Sequence, residues 1–178
     1  MARSIALLRA VNVGGRKLPM AELRVLCGAL GWEEVETYIQ SGNLVFKAPG
    51  EAGALEARLE KAIEKRFGLD VPVIVRTAAQ WAGYADANPF PDAARDEPKR
   101  LQLLVSKRPP DKDSADKLQE RARGGEAVKA AGGVLWFHYP EGVGTSKLTP
   151  ALIDKACGSP STARNWRTVV RLKEMAEA

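Results

Sequence analysis

Three short polar stretches carry most of the side chains with chemical reach. Around Arg9, Asn12, Gly14 and Gly15 the chain offers exposed backbone N–H groups beside Arg16 and Lys17, an arrangement an anion can use. The spacing is neither that of a P-loop nor that of the three-glycine dinucleotide fingerprint, so a flexible turn accounts for it equally well. Ser41, Gly42 and Asn43 form the second stretch. Gly and Asn accept positive φ in a hairpin, and Ser and Asn side chains can also hold a ligand, although turn chemistry alone explains them. The third stretch is C-terminal. Arg164, Arg167 and Arg171 fall at i, i+3 and i+7 of an expected final helix, with Ser161 and Thr162 at its start, where free N–H groups and the helix dipole favour an anion. Arg164 can close such a site with a bidentate fork, and Lys147 can approach from the preceding loop. From Thr145 to Ala178 there are six Lys/Arg and three Asp/Glu, giving this segment +3, which a solvated basic face would also produce.

The scarcity of other reactive residues narrows the chemistry further. One His and two Cys are too few for most metal and thiol sites, so neither a metal nor a cofactor is expected. His138 alternates with Val134 and Trp136 along an expected strand, which reads as a packed or surface histidine with no acidic partner evident from spacing. Cys27 and Cys157 fall on the buried sides of helices, as small hydrophobes. Arg9 interrupts the apolar opening before a signal-peptide core forms, and no apolar run approaches the roughly 20 residues of a membrane span. A cytoplasmic protein with reduced thiols and no membrane partner is the expectation.

The elements that must position these residues follow from periodicity. The 178 residues are 45% hydrophobic and 28% charged with a net charge of +5, a balance that supports a packed core and permits an anionic partner. Residues 3–11 read as a strand, and Met20, Leu23, Leu26, Cys27 and Leu30 repeat at helical spacing after Pro19 and before Gly31. Residues 35–40 and 43–48 form a hairpin, Leu55 to Phe67 a second amphipathic helix, and 71–76 another strand. That order, βαββαβ, is the ferredoxin-like pattern. A capping box at Thr77 and Gln80 starts a short helix, and Asn88-Pro89-Phe90-Pro91 breaks the chain.

The second half repeats strand (101–107), helix (113–123), hairpin (127–131 and 134–139) and helix, the last capped by Thr149 with Pro150 at its first turn. Ser159 to Thr162 launch the terminal helix. The expected class is α+β, with two ferredoxin-like subdomains, 1–90 and 91–178, and a basic C-terminal helix. RNA-recognition domains of this topology stack bases on aromatic residues of their central strands, whereas Ile5 to Leu8 and Leu44 to Phe46 are mostly aliphatic, which weakens a nucleic-acid role.

Residues 7–15 (LLRAVNVGG), 38–43 (YIQSGN) and 162–166 (TARNW) closely resemble the three marker stretches of a bacterial domain-of-unknown-function family of cytoplasmic proteins of about this length. The usual Gly-Ile-Asn of the first marker is Ala10-Val11-Asn12 here. The resemblance implies two ferredoxin-like subdomains and brings no activity with it. It points to Arg9, Asn12, Gly14, Gly15, Ser41, Gly42, Asn43, Arg164, Asn165 and Trp166.

The leading functional expectation is a binding module in which the three stretches converge in a cleft between subdomains on a phosphate-bearing small molecule or nucleotide. Arg9 and Arg164 would carry the charge, the N–H groups of Gly14, Gly15 and Thr162 would complete the site, and Trp166 would form a wall. The rival is a metal-independent enzyme in the same cleft, with Tyr38, Ser41 or Lys147 handling protons. Weak nucleic-acid binding through Arg164, Arg167 and Arg171 is a further alternative.

Overall fold

A computed structural model describes residues 1–178, and the chain divides into two units, Met1–Trp81 with Leu172–Ala178, and Ala82–Arg171. The division falls after Trp81 rather than at residue 90, and the last seven residues return to the first unit.

In the first unit β1 (Ser4–Leu8), α1 (Met20–Ala29), β2 (Glu33–Tyr38), β3 (Asn43–Lys47), α2 (Ala52–Phe67) and β4 (Val73–Thr77) follow in order. The sheet is antiparallel throughout, ordered β2-β3-β1-β4. Ala6 sits between Leu44 and Val75, and strand alternation puts Leu8, Phe46 and Val73 on the same face. That face packs with Leu23 and Cys27 of α1 and Leu55, Leu59 and Ile63 of α2, all at or near zero exposure. Burying each of the large apolar side chains contributes about 1.5–3 kcal/mol, which outweighs the weak intrinsic preferences of the short strands. Helix α2 ends where Gly68 enters the left-handed region and donates to the Glu64 carbonyl at 2.8 Å. Helix α2 also caps the sheet border. Glu60 and Glu56 accept the N–H groups of Val73 (2.8 Å) and Val75 (2.9 Å), donors that an edge strand otherwise leaves open.

The capping box at Thr77 and Gln80 forms in both directions and opens α3 (Ala78–Asp86). A one-and-a-half-turn helix, α4 (Pro91–Asp96), follows the Pro-Phe-Pro break. The second sheet comprises β5 (Leu101–Ser106), β6 (Ala127–Ala131), β7 (Val134–His138) and β8 (Ser161–Asn165), with α5 (Ser114–Arg121) after β5 and α6 (Pro150–Cys157) before β8. Its order, β6-β7-β5-β8, repeats that of the first sheet. Leu104, Leu135 and Phe137 on one face pack with Leu118 of α5 and Ile153 and Cys157 of α6. The edge strand β6 is again met by a helix, because Gln119 accepts from Val128 N and donates to Glu126 O, both at 2.8 Å. Two ferredoxin-like α+β units are therefore present.

One element departs from the periodicity. Residues 161–165 do not begin the terminal helix; they form β8, paired antiparallel with β5 over Gln102–Ser106, and α7 (Trp166–Glu177) starts only at Trp166. Ser-Thr-Ala-Arg-Asn has no apolar alternation to announce a strand, and its place is set by pairing with an apolar neighbour. Thr162, Arg164 and Asn165 are thus strand residues. The expected row of three arginines does not exist, since Arg167 and Arg171 are exposed on α7 while Arg164 is buried on β8. Strand β1 likewise stops at Leu8 instead of Val11, for a reason that belongs to the site.

Candidate functional site

Beyond Leu8 the backbone leaves extended geometry abruptly, with Ala10 and Asn12 at φ 55° and 56° and Gly14 and Gly15 at 56° and 80°. Non-glycine residues enter this region seldom, Asn more readily than most. Asn12 is held there by its own carboxamide. Its Oδ1 accepts from Leu18 N (2.9 Å), and its Nδ2 donates to Leu18 O (3.0 Å) and to Gln40 O (2.6 Å). The last of these bonds joins the β1–α1 loop to the β2–β3 link. Arg16 completes the fastening by donating Nε to Ala10 O (2.9 Å) and Nη2 to Asp70 O (2.6 Å).

The β2–β3 link is built on the same principle. Ile39 stands at φ 51°, an outlier for a β-branched residue, and is 52% exposed, so burial does not compensate its strain. Gly42, at φ 84°, donates no side chain because none fits: a Cβ there would lie 2.7 Å from both Leu8 Cβ and Val11 Cγ2. Its carbonyl accepts from Leu8 N at 2.8 Å. Asn43 is fully buried and donates Nδ2 to Tyr38 O and Ser41 Oγ, each at 3.0 Å.

The first two stretches therefore meet within one unit. Asn12, Gly42 and Asn43 act there as fasteners of the backbone, while the exposed rim consists of Val13, Gly14, Gly15, Lys17, Ile39 and Ser41. The N–H groups of Val13, Gly14 and Gly15 make no hydrogen bond within the protein. Beside them Lys17 has no ion-pair partner, and Arg16 bonds only to carbonyls, so neither cation forms an ion pair. Arg9 is half-buried at the strand end, its N–H donating to Pro72 O at 3.0 Å.

The third stretch lies in the second unit, and its side chains are engaged there. Arg164 donates to Thr162 Oγ1 (2.9 Å) and Ala163 O (2.8 Å), and burial pulls its pKa down to about 10, which leaves it cationic at neutral pH. Asn165 Oδ1 accepts from Thr168 N (3.1 Å), capping α7. Trp166 packs on Trp136 with ring centroids 5.9 Å apart. Lys147 lies exposed in the segment before α6, with no ion partner.

Thiol chemistry finds no support. Burial pushes Cys27 up to about 12 and Cys157 up to about 11, so neither presents a thiolate at neutral pH. No three His, Cys, Asp or Glu side chains are grouped to hold a metal ion. One pairing escaped the spacing altogether: His138 Nε2 lies 2.8 Å from Glu97 Oε2. Glu97 is 41 positions away, and only the pairing of β5 with β7, which sets Leu101 beside His138, brings it close.

The duplicated β2-β3-β1-β4 topology and the fastened loop pair define a two-unit ferredoxin-like α+β protein. Residues 1–136 match the model of a family described as "Protein of unknown function (DUF1697)", and the chain belongs to that family. No curated protein matches. Among solved structures the chain is similar to the conserved bacterial protein SP0830 from Streptococcus pneumoniae, with 22% identity, 98% of each chain covered and a TM-score of 0.71. At that identity the likeness carries the fold alone. No helix of the chain is long and apolar enough to cross a membrane.

Proposed function

We propose that the protein binds a small phosphate-bearing anion on the loop pair of its first unit. The observation that carries this is the run of unbonded N–H groups at Val13, Gly14 and Gly15, set beside the cations Arg16 and Lys17, neither of which forms an ion pair. Amide hydrogens and cations together satisfy both the acceptor oxygens and the charge of a phosphate. Asn12 and Gly42 hold the loop in this shape before any ligand arrives, which lowers the ordering cost of binding. Because Arg16 is also a fastener, Lys17 is the residue whose loss reports on charge without disturbing the loop.

Inorganic pyrophosphate tests this by its effect on the melting temperature at low ionic strength. At 100 times its dissociation constant it adds about 2.7 kcal/mol, which for a chain of this size is a rise of about 5–11 °C. Lys17→Ala is expected to weaken binding about tenfold with an unchanged melting temperature in the absence of anion. No rise with pyrophosphate, or a rise that Lys17→Ala leaves intact, overturns the assignment.

A further inference from the structure

The second unit holds a cleft of about 620 Å³ that is lined by Pro89, Phe90, Pro91, Glu97, Lys129 and His138 among others, within the roughly 300–1,000 Å³ range of small-molecule sites. Phe90 is flanked by prolines on both sides, which fixes the backbone of its neighbours and keeps the half-exposed ring in place as an apolar wall. Its N–H is held by Asn88 Oδ1 at 2.9 Å. His138 faces the ring at 6.1 Å, tilted by 43°, and Lys129 Nζ stands 4.9 Å over it.

Each carboxylate lining the cleft meets a basic side chain, and Lys129 is the one cation there without a carboxylate partner. Arg95 forms a two-pronged pair with Asp96, at 2.9 Å for each bond, and reaches Asp92 at 3.3 Å. Glu97 takes His138 on one oxygen and Arg100 at 3.4 Å on the other. Lys129 has no carboxylate partner, so it is the group left to attract an anion. His138 contributes an acceptor. In the tautomer whose Nε2 hydrogen bonds the Glu97 carboxylate, Nδ1 is a bare acceptor, and that nitrogen makes no hydrogen bond within the protein. Lys129 pairs with Trp136 and His138 lies two residues further along β7 on the same sheet face, a diagonal separation of about 7–8 Å. Both side chains border the Phe90 ring.

We propose that this cleft is a binding site for a planar aromatic acid: its carboxylate meets Lys129, a hydroxyl or ring N–H donates to His138 Nδ1, and its face lies along Phe90. The site is separate from the anion-binding loops of the first unit and stands or falls without them.

His138 is the only histidine in the chain, so its imidazole carbon-bound hydrogens give isolated NMR signals that report on the cleft directly. The probe is 4-hydroxybenzoate, compared with phenol, which lacks the anion, and benzoate, which lacks the donor. Saturable shifts are expected for 4-hydroxybenzoate, with affinity about tenfold above either partial probe, as one charge-assisted hydrogen bond provides. Exposed Lys129→Met is expected to bring 4-hydroxybenzoate down to the level of phenol. Absence of saturable shifts, equal response to inorganic phosphate, tighter binding of benzylamine, or insensitivity to Lys129→Met each overturns the proposal.

Discussion

The two units share one strand order and one chain path, yet they treat the same two connections in opposite ways. From β1 to α1 the first unit uses residues 9–19, with Ala10, Asn12, Gly14 and Gly15 at positive φ; from β5 to α5 the second uses residues 107–113 and none. Between its hairpin strands the first unit places the strained Ile39 and the crowded Gly42, whereas the second turns on two glycines, Gly132, where a Cβ would lie 2.9 Å from Ala87 Cβ, and Gly133, which faces open space. The second unit assigns its hairpin turn to residues that tolerate positive φ at no steric cost. The first assigns it partly to residues that do not, and then fastens them with Asn12, Arg16 and Asn43. Since the topology is the same, the fold does not require the strain. Strain that a duplicate dispenses with marks the place where shape serves something other than folding.

The contrast is sharpest at the turn glycines. Gly42→Ala drives a methyl group to 2.7 Å from Leu8 and Val11 at an unfavourable φ, and is expected to destabilise by about 3 kcal/mol. Gly133→Ala has the same kind of backbone, φ 81°, but open space, and is expected to cost about 1–2 kcal/mol. Urea unfolding of the two variants measures the difference, and equal losses would erase the distinction between the turns.

Asn12→Ala comes next, at about 2–3 kcal/mol, because it leaves Leu18 N and two carbonyls without their partners and puts Ala in the left-handed region. Hydrogen exchange at the Leu18 amide should accelerate with it. Were Asn12 chiefly a ligand group, the melting temperature would stay put and only anion affinity would fall. The smallest effect runs in the other direction. Ile39→Gly removes strain of about 1–3 kcal/mol and adds unfolded-state freedom of about 0.5–1 kcal/mol, so a net gain of about 1 kcal/mol is expected in thermal unfolding. A loss on that substitution would mean that Ile39 is not strained as its backbone indicates.

Much of the architecture was legible from residue order. Met20, Leu23 and Cys27, like Leu55, Leu59 and Ile63, sit where helical spacing put them, and both hairpins lie near the predicted positions. What stayed hidden depended on pairing across the sheet. Ser161 to Asn165 carry no strand pattern of their own and become β8 only against β5; the same sheet brings Glu97 to His138. The marker residues of the first unit were legible as special but not as to why. Turn propensity flags Gly42 and Asn43 without revealing that one avoids a clash and the other ties Tyr38 to Ser41. Arg164 misled most, because a helix-like run of arginines is indistinguishable in one dimension from a strand residue followed by a helix.

The carboxylates of Glu56 and Glu60 have a consequence reaching past the single molecule. By answering the outward amides of Val75 and Val73, they deny any second polypeptide a template along that border. Fibrous growth of the first sheet by strand addition is thus closed off on the β4 side, and a stretch rich in valine and isoleucine is kept from becoming an adhesive one.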